Sequence, residues 1–394
     1  MFLSYVNLIY CTPGAKESLP MTNKRNDTFV ILSAISIILI LLGHLDFPLL
    51  TVGGLFPYYS FHVMLFPFIS GYFYKQKEEE QIGAYLKRKA LHLLLPYCIW
   101  NVIYGIFATI LHNFGMGIGE DISLYNLTIA PFLSGHQFMY QAASWFVPAL
   151  FLLELCNVIG RKVLSLIRIR NEYVIMALYL FVGLAAIFLA KRGSVYDYYK
   201  LPARIMLLAP CFQFGHLYKE KLERKDTLPS SVYFLIILTL QLIITLTTYG
   251  QTAYSAVWVT GFAHSIFLPY LTTFTGIAFW LRIAKVLTPV LKESRFVQYL
   301  GTHTFSVMMH HLLGFFLLNC LFAGLSDIVM QSGISALSQW LEGFDRAKFA
   351  SDIYYVFLPN GMGEAKWLYL AAGLVISLAI ARLIDVLKEK ISQK

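Results

Sequence analysis

The strongest constraint on this chain is the recurrence of apolar runs of about 17 to 24 residues, the length a helix needs to cross a hydrocarbon core about 30 Å thick. One water-soluble core cannot bury so many of them, so the sequence predicts an all-α fold, a polytopic integral membrane helix bundle. Runs bounded by charge clusters or by Gly, Pro and Asn fall at 28–49, 57–74, 90–111, 144–160, 172–190, 201–218, 231–249, 264–284, 298–320 and 366–387. These are about ten transmembrane helices. Composition agrees: 58% of the 394 residues are hydrophobic and only 13% are charged, against about 25% charged in soluble domains. A soluble globular enzyme is excluded. The net charge of +9 belongs to loops that orient the chain in the bilayer, and no basic stretch interleaved with aromatics points to nucleic acid.

Most of the 31 Lys and Arg fall at alternate ends of the runs, among them Lys24, Arg25, Lys87, Arg88, Lys89, Arg161, Lys162, Lys219, Lys221, Arg224 and Lys225. This pattern predicts both termini in the cytoplasm. The expected organisation is a cytoplasmic N-terminal segment over 1–27, a transmembrane domain over 28–387 and a cytoplasmic tail over 388–394. Residues 1–20 lack a basic n-region and a small-residue cleavage site, so a cleaved signal peptide is not expected. MTNKRNDTF, from Met21, reads like a natural cytoplasmic start. The five cysteines, Cys11, Cys98, Cys156, Cys211 and Cys320, are scattered singly without metal-ligand spacing; the last four read as packing residues. Two long connections, 112–143 and 321–365, fall on the outer face. The second contains SALSQWLEGF (Ser335–Phe344), which reads either as a helix on the membrane surface or as a lid over a cavity. No internal repeat is visible, which weighs against a transporter built from paired halves.

Ionisable groups inside membrane spans are costly and usually face a cavity or a partner. His44 closes the first run, His62 lies early in the second, and His310 and His311 sit within the ninth. At about 1.5 Å per helical residue, all lie roughly 18 to 24 Å from the inner face, so three distant segments place imidazoles in one layer. Imidazole takes and returns a proton near neutral pH and can act as a nucleophile. Each histidine alone reads equally well as a packing residue bonded to a backbone carbonyl. A metal is not expected, because the runs supply histidines and, apart from Asp46, no inward carboxylate. On the inner side, Ser70 and Gly71 form a small pair that lets a ligand approach the backbone. The neighbouring Arg88 and Lys89 either hold phosphates of a nucleotide-containing donor or anchor the helix at the bilayer. Glu154 either pairs with a basic residue or orients a catalytic group. Trp145 is an interface aromatic or a surface for substrate.

Taken in order, ILSAISIILILLGH ending at His44, FHVMLFPFISGYFYK, RKALHLLLPYCIW, SWFVPALFLLEL, LLAPCFQFGHLYKE and GTHTFSVMMHHLL resemble the acyltransferase 3 family of bacterial integral-membrane acyltransferases, in particular its sugar O-acetylase branch. The resemblance covers about residues 25–320. It implies a ten-helix core that takes an acyl group from acyl-CoA, acetyl-CoA above all, at the cytoplasmic face. The group passes to a hydroxyl of a cell-surface or lipid-linked polysaccharide outside, with no bound cofactor. It also implies a bacterial cytoplasmic membrane and assigns catalysis to His44 and to a late histidine, most nearly His311, with Ser70 and Gly71 near the donor. One departure stands out. Many family members carry Arg or Lys eleven positions before the first histidine, where this chain has Ser33. From the residues themselves, His44 is either a general base or a transient acyl carrier. The rival function is a transporter or flippase for a glycan or related small molecule, using the same histidines as a proton relay.

Overall fold

The computed structural model describes residues 26–332, 341 and 343–392. Among them there is no β-strand, only an isolated bridge between Ser255 and Thr260. The longer helices, of eight residues or more, are α1 (Asp27–His44), α2 (Leu65–Phe73), α3 (Ile82–Asn113, with a π turn at Ala90–Leu94), α4 (Phe146–Leu166), α5 (Glu172–Lys191), α6 (Asp197–Leu217), α7 (Ser230–Thr247), α8 (Leu268–Leu291), α9 (Arg295–Thr302), α10 (Thr304–Ser332) and α11 (Lys366–Ser392). Eight helices among the described residues are long and apolar enough to cross a membrane.

The two remaining expected runs are present in another form. The run at 57–74 breaks into 3-10 turns at Tyr58–Ser60 and His62–Met64 before α2 begins. The apolar helix His62–Phe73 is therefore too short to cross a bilayer alone and depends on its neighbours. The run at 201–218 is α6, which carries Asp197, Lys200, Arg204, Gln213 and His216 and two internal prolines, Pro202 and Pro210. Its deeper polar groups, Arg204, Gln213 and His216, are tolerable because they are buried against protein. The expected outer connection at 321 is helical as far as Ser332. SALSQWLEGF lies for the most part outside the described residues, as do Arg25 and the two candidate starts.

Helix α1 is apolar on every side, as a central helix must be, and 67% of its span is buried. The Asn26 side chain accepts from the Phe29 amide to cap it, and Asp27 occupies its first turn. Peripheral α7 is the opposite case, with 6% of its span buried. Helices α2 and α6 meet at two glycines. A Cβ on Gly71 would overlap the Phe212 carbonyl, and one on Gly215 would overlap the Phe68 carbonyl, so backbones touch where small residues allow it. At the basic end of the bundle, Arg161 ties the connection after α2 to α4, α5 and α6. Its guanidinium donates to Glu79 at 2.9 Å, to Glu172 at 2.7 Å and to Gln213 at 3.3 Å, all buried.

Candidate active site

Helix α1 ends at His44, after which Asp46 adopts a left-handed backbone (φ 44°) and turns the chain away. His44 is thereby left in the wall between two cavities. The inner one is a chamber of about 70 Å³ lined by Ile37, His44, Tyr59, His62, Phe66, Trp145, Tyr254 and Met308, among others. The outer one is a vestibule of about 960 Å³ that shares His44, Tyr59, Trp145 and Tyr254 and adds Asp46, His136, Trp258, Phe357 and Lys366. The vestibule matches the size of ligand pockets, about 300–1,000 Å³. The chamber admits only a few atoms, since one water needs about 10–15 Å³ measured this way.

Three of the four expected histidines meet here. The rings of His44 and His311 lie 5.1 Å apart, and Phe357 lies 5.6 Å from His44 on the vestibule side. His62 packs over Gly43, its Nε2 3.2 Å from where a Cβ there would stand, with Tyr59 edge-on at 5.0 Å. Tyr59 in turn donates to the Gly43 carbonyl at 3.1 Å. His311 Nδ1 lies 2.8 Å from the Val307 carbonyl. A carbonyl only accepts, so Nδ1 carries the proton and Nε2 keeps its lone pair, buried and without a protein partner. No side-chain hydrogen bond occupies either ring nitrogen of His44 among the described residues. His310 turns the other way. Its Nδ1 pairs with the Tyr104 hydroxyl at 2.8 Å and its ring meets Trp100 at 4.2 Å; neither of the two adjacent histidines lines the chamber, and His311 is the one that touches His44.

At the basic end, Ser70, Tyr74, Lys75, Lys77, Glu78, Tyr85, Arg88 and Lys89 line a pocket of about 500 Å³. The expected basic pair divides here. Lys89 bonds Glu154 at 2.7 Å, where Tyr85 also donates at 3.3 Å; Glu154 is thus the buried partner of a lysine. Arg88 pairs with Glu78 at 2.9 Å with half its side chain exposed, which leaves it free to turn to another anion. Gly71 is absent from the pocket lining, its close approach being taken up by α6. Ser33 donates to the Phe29 carbonyl inside α1 at 2.8 Å. Trp145 is buried beneath the guanidinium of Arg204, 4.7 Å away. Of the four described cysteines only Cys211 is buried; Cys98 and Cys156 are exposed and Cys320 is partly so. Among the described residues no group of three His, Cys, Asp or Glu is arranged to hold a metal ion.

Sequence reasoning passed over Tyr59, His136 and Arg204. Their segments carry no motif, and only the presence of Arg204 near the start of the apolar run at 201–218 was a signal to follow.

Residues 31–385 match the family model for the acyltransferase 3 group, described as an acyltransferase domain. No curated protein and no solved structure gives a match to the chain.

Proposed function

The chain belongs to the acyltransferase 3 family, as a multi-pass membrane acyltransferase, and we propose that it moves an acyl group, acetyl above all, from acyl-CoA to a hydroxyl of a cell-surface or lipid-linked saccharide. The observation that carries this reading is the place of His44, in the common wall of a small chamber and a wider vestibule with both ring nitrogens free of side-chain partners.

The phosphates of the donor bind at the basic pocket, with Arg88, Lys75 and Lys77 as their partners. The pantetheine arm then follows α2. From Ser70 back to His62 the chain runs through five α-helical steps and a 3-10 turn, about 13 Å of rise. The thioester reaches the chamber, whose small volume favours a short acyl group over a long one. The acceptor enters the vestibule and presents a hydroxyl at His44. As a base, His44 takes the hydroxyl proton while the oxygen attacks the thioester carbon and the thiolate leaves. As a carrier, its nitrogen lone pair attacks first, the thiolate leaves, and the hydroxyl then displaces the imidazole. In both cases the His311 Nε2 lone pair beside it favours the imidazolium that forms. The membrane concerned is the bacterial cytoplasmic membrane, with the vestibule outside.

The test is release of free CoA thiol from acetyl-CoA by the protein in lipid, with a surface-glycan extract as acceptor. Release that requires the acceptor and vanishes in His44→Ala supports the reading. No release and no binding of acetyl- or succinyl-CoA overturns it.

A further inference from the structure

Arg204 is 1% exposed, deep in α6, and among the described residues no carboxylate pairs with it. Its Nη1 and Nη2 donate to the Ser134 carbonyl at 3.0 and 3.1 Å, and its Nε donates to the Val257 carbonyl at 2.7 Å. A buried cation costs several kcal/mol when its only compensation is carbonyl dipoles and a ring face, so this one has a strong local effect for the fold to exploit. The same Ser134 oxygen lies 2.7 Å from Nδ1 of His136. An oxygen that already receives two guanidinium protons can only accept, so His136 carries its proton on Nδ1 and keeps a lone pair on Nε2. The imidazole is stacked 4.8 Å from Trp258 at 21°, with the Lys200 ammonium 4.6 Å from the same indole. The ring cannot swing freely. It lines the vestibule with His44, Trp145 and Val257, and its Nε2 is neither bonded to protein nor sealed from solvent.

We infer that His136 orients the acceptor in the vestibule, its Nε2 lone pair receiving a hydrogen bond from an acceptor hydroxyl, and that Arg204 is the positioning residue that fixes this tautomer through the Ser134 carbonyl. The inference rests on the reading that the acceptor occupies the vestibule. It narrows the acceptor's chemistry at that point: a hydroxyl donates to Nε2, whereas a carboxylate or phosphate oxygen meets a lone pair.

Burial first, then the Arg204 charge and, more weakly, Lys200, push the His136 pKa down to about 4 against the opposing bond from Ser134. The ring thus stays an acceptor throughout the neutral range. The other charged or titratable groups around the vestibule are His44, Asp46, Tyr59, Tyr254, Tyr354 and Lys366. Protonation would turn Nε2 into a donor and break the proposed contact.

The experiment uses the full chain in lipid, wild type against His136→Ala, His136→Gln and Arg204→Lys, with transfer from acetyl-CoA to a surface-glycan extract followed from pH 4 to 8. The alanine variant is expected to raise the acceptor KM at least tenfold with the donor KM held. The glutamine variant, whose carbonyl accepts but does not titrate, is expected to restore acceptor binding near neutral pH and to remove the part of the acid limb due to His136. In Arg204→Lys the cation is kept, so the acid limb stays in place, while loss of the paired guanidinium bonds to the Ser134 carbonyl raises the acceptor KM. An unchanged acceptor KM in His136→Ala, or an acid limb identical in His136→Gln and wild type, overturns the inference. If wild type transfers nothing, quenching of tryptophan fluorescence by methyl glycosides decides instead. Quenching lost in His136→Ala and kept in His136→Gln supports the subsite even though the transferase reading has failed, and equal responses, quenched or not, overturn it.

Discussion

At the scale of single residues, the chamber separates imidazoles that the sequence could only group. His44 and His62 line it and His311 packs behind His44, whereas His310 turns away to bond Tyr104. The consequences differ in kind. His44→Ala is expected to lower kcat for transfer by about 10²- to 10⁴-fold, the usual worth of a positioned acid or base, in steady-state assays of CoA release. Tyr104→Phe is expected to retain most activity and to lose about 1–2 kcal/mol of stability, because it strips a buried ring nitrogen of its partner. A chemical denaturation series in detergent reads that loss, and a collapse of kcat without it would return His310 to the chemistry. A similar division holds at the basic pocket. The exposed Arg88–Glu78 pair is worth at most about 1 kcal/mol, so Arg88 can re-pair with phosphate, and Arg88→Ala is expected to raise the acyl-CoA KM about tenfold. Lys89→Ala instead strands the buried Glu154 carboxylate. Lys89 is about a third exposed, so solvent screening reduces that cost to about 1–3 kcal/mol; the variant should show a lower melting temperature. Depth counting placed the three spans at one level because axial rise is fixed by helix geometry. It could not say which way His310 and His311 face, because neighbouring helical positions are about 100° apart and the packing of α10 against α11, α1 and the segment before α4 sets the phase.

At the scale of elements, the expected runs survive where hydrophobicity and length coincide, as in α1, α5, α7 and α11. They fail where burial by protein replaces burial by lipid. Helix α2 is short because Phe61 and His62 are held in turns against α1 and α8, and α6 is polar because Arg204 and Gln213 meet polar groups of neighbouring segments. Neither exception is visible in a hydropathy pattern, which scores a side chain without its partner. What makes both elements possible is the paired glycine contact. Gly71→Ala and Gly215→Ala each drive a methyl group into a backbone carbonyl on the facing helix, where no rotamer change relieves the overlap. Overpacking of this kind costs about 1–3 kcal/mol where neighbours can give, and backbone on both sides puts these sites at the upper end or beyond. Each alanine variant is expected to lower the melting temperature of the protein in detergent and to reduce folded yield, whereas Gly83→Ala, with open space around its Cβ position, leaves both unchanged. Equal melting temperatures for Gly71→Ala and Gly83→Ala would show that α2 and α6 separate without loss.

At the scale of the whole molecule, the cavities divide the bundle. The basic pocket shares no lining residue with the chamber or the vestibule, and α2 runs between them. If donor and acceptor approach from opposite faces, the thiolate is released where Arg88 lies and the hydroxyl proton is lost where His44 lies, so the reaction has a direction across the bilayer that a soluble transferase lacks. That direction is measurable in sealed vesicles. With the five cysteines replaced by alanine, a cysteine at Glu80, exposed beside the basic pocket, reports one face, and a cysteine at Tyr249, 87% exposed in the connection that leads to the vestibule, reports the other. A membrane-impermeant maleimide is expected to label Glu80→Cys only in inside-out vesicles and Tyr249→Cys only in right-side-out ones. Acetyl-CoA added outside is then expected to release thiol only from the inside-out preparation, because the phosphates cannot reach Arg88 from the vestibule. Thiol release from right-side-out vesicles that remain sealed would mean that donor and acceptor share the vestibule, and His44 would then serve a reaction completed on one face.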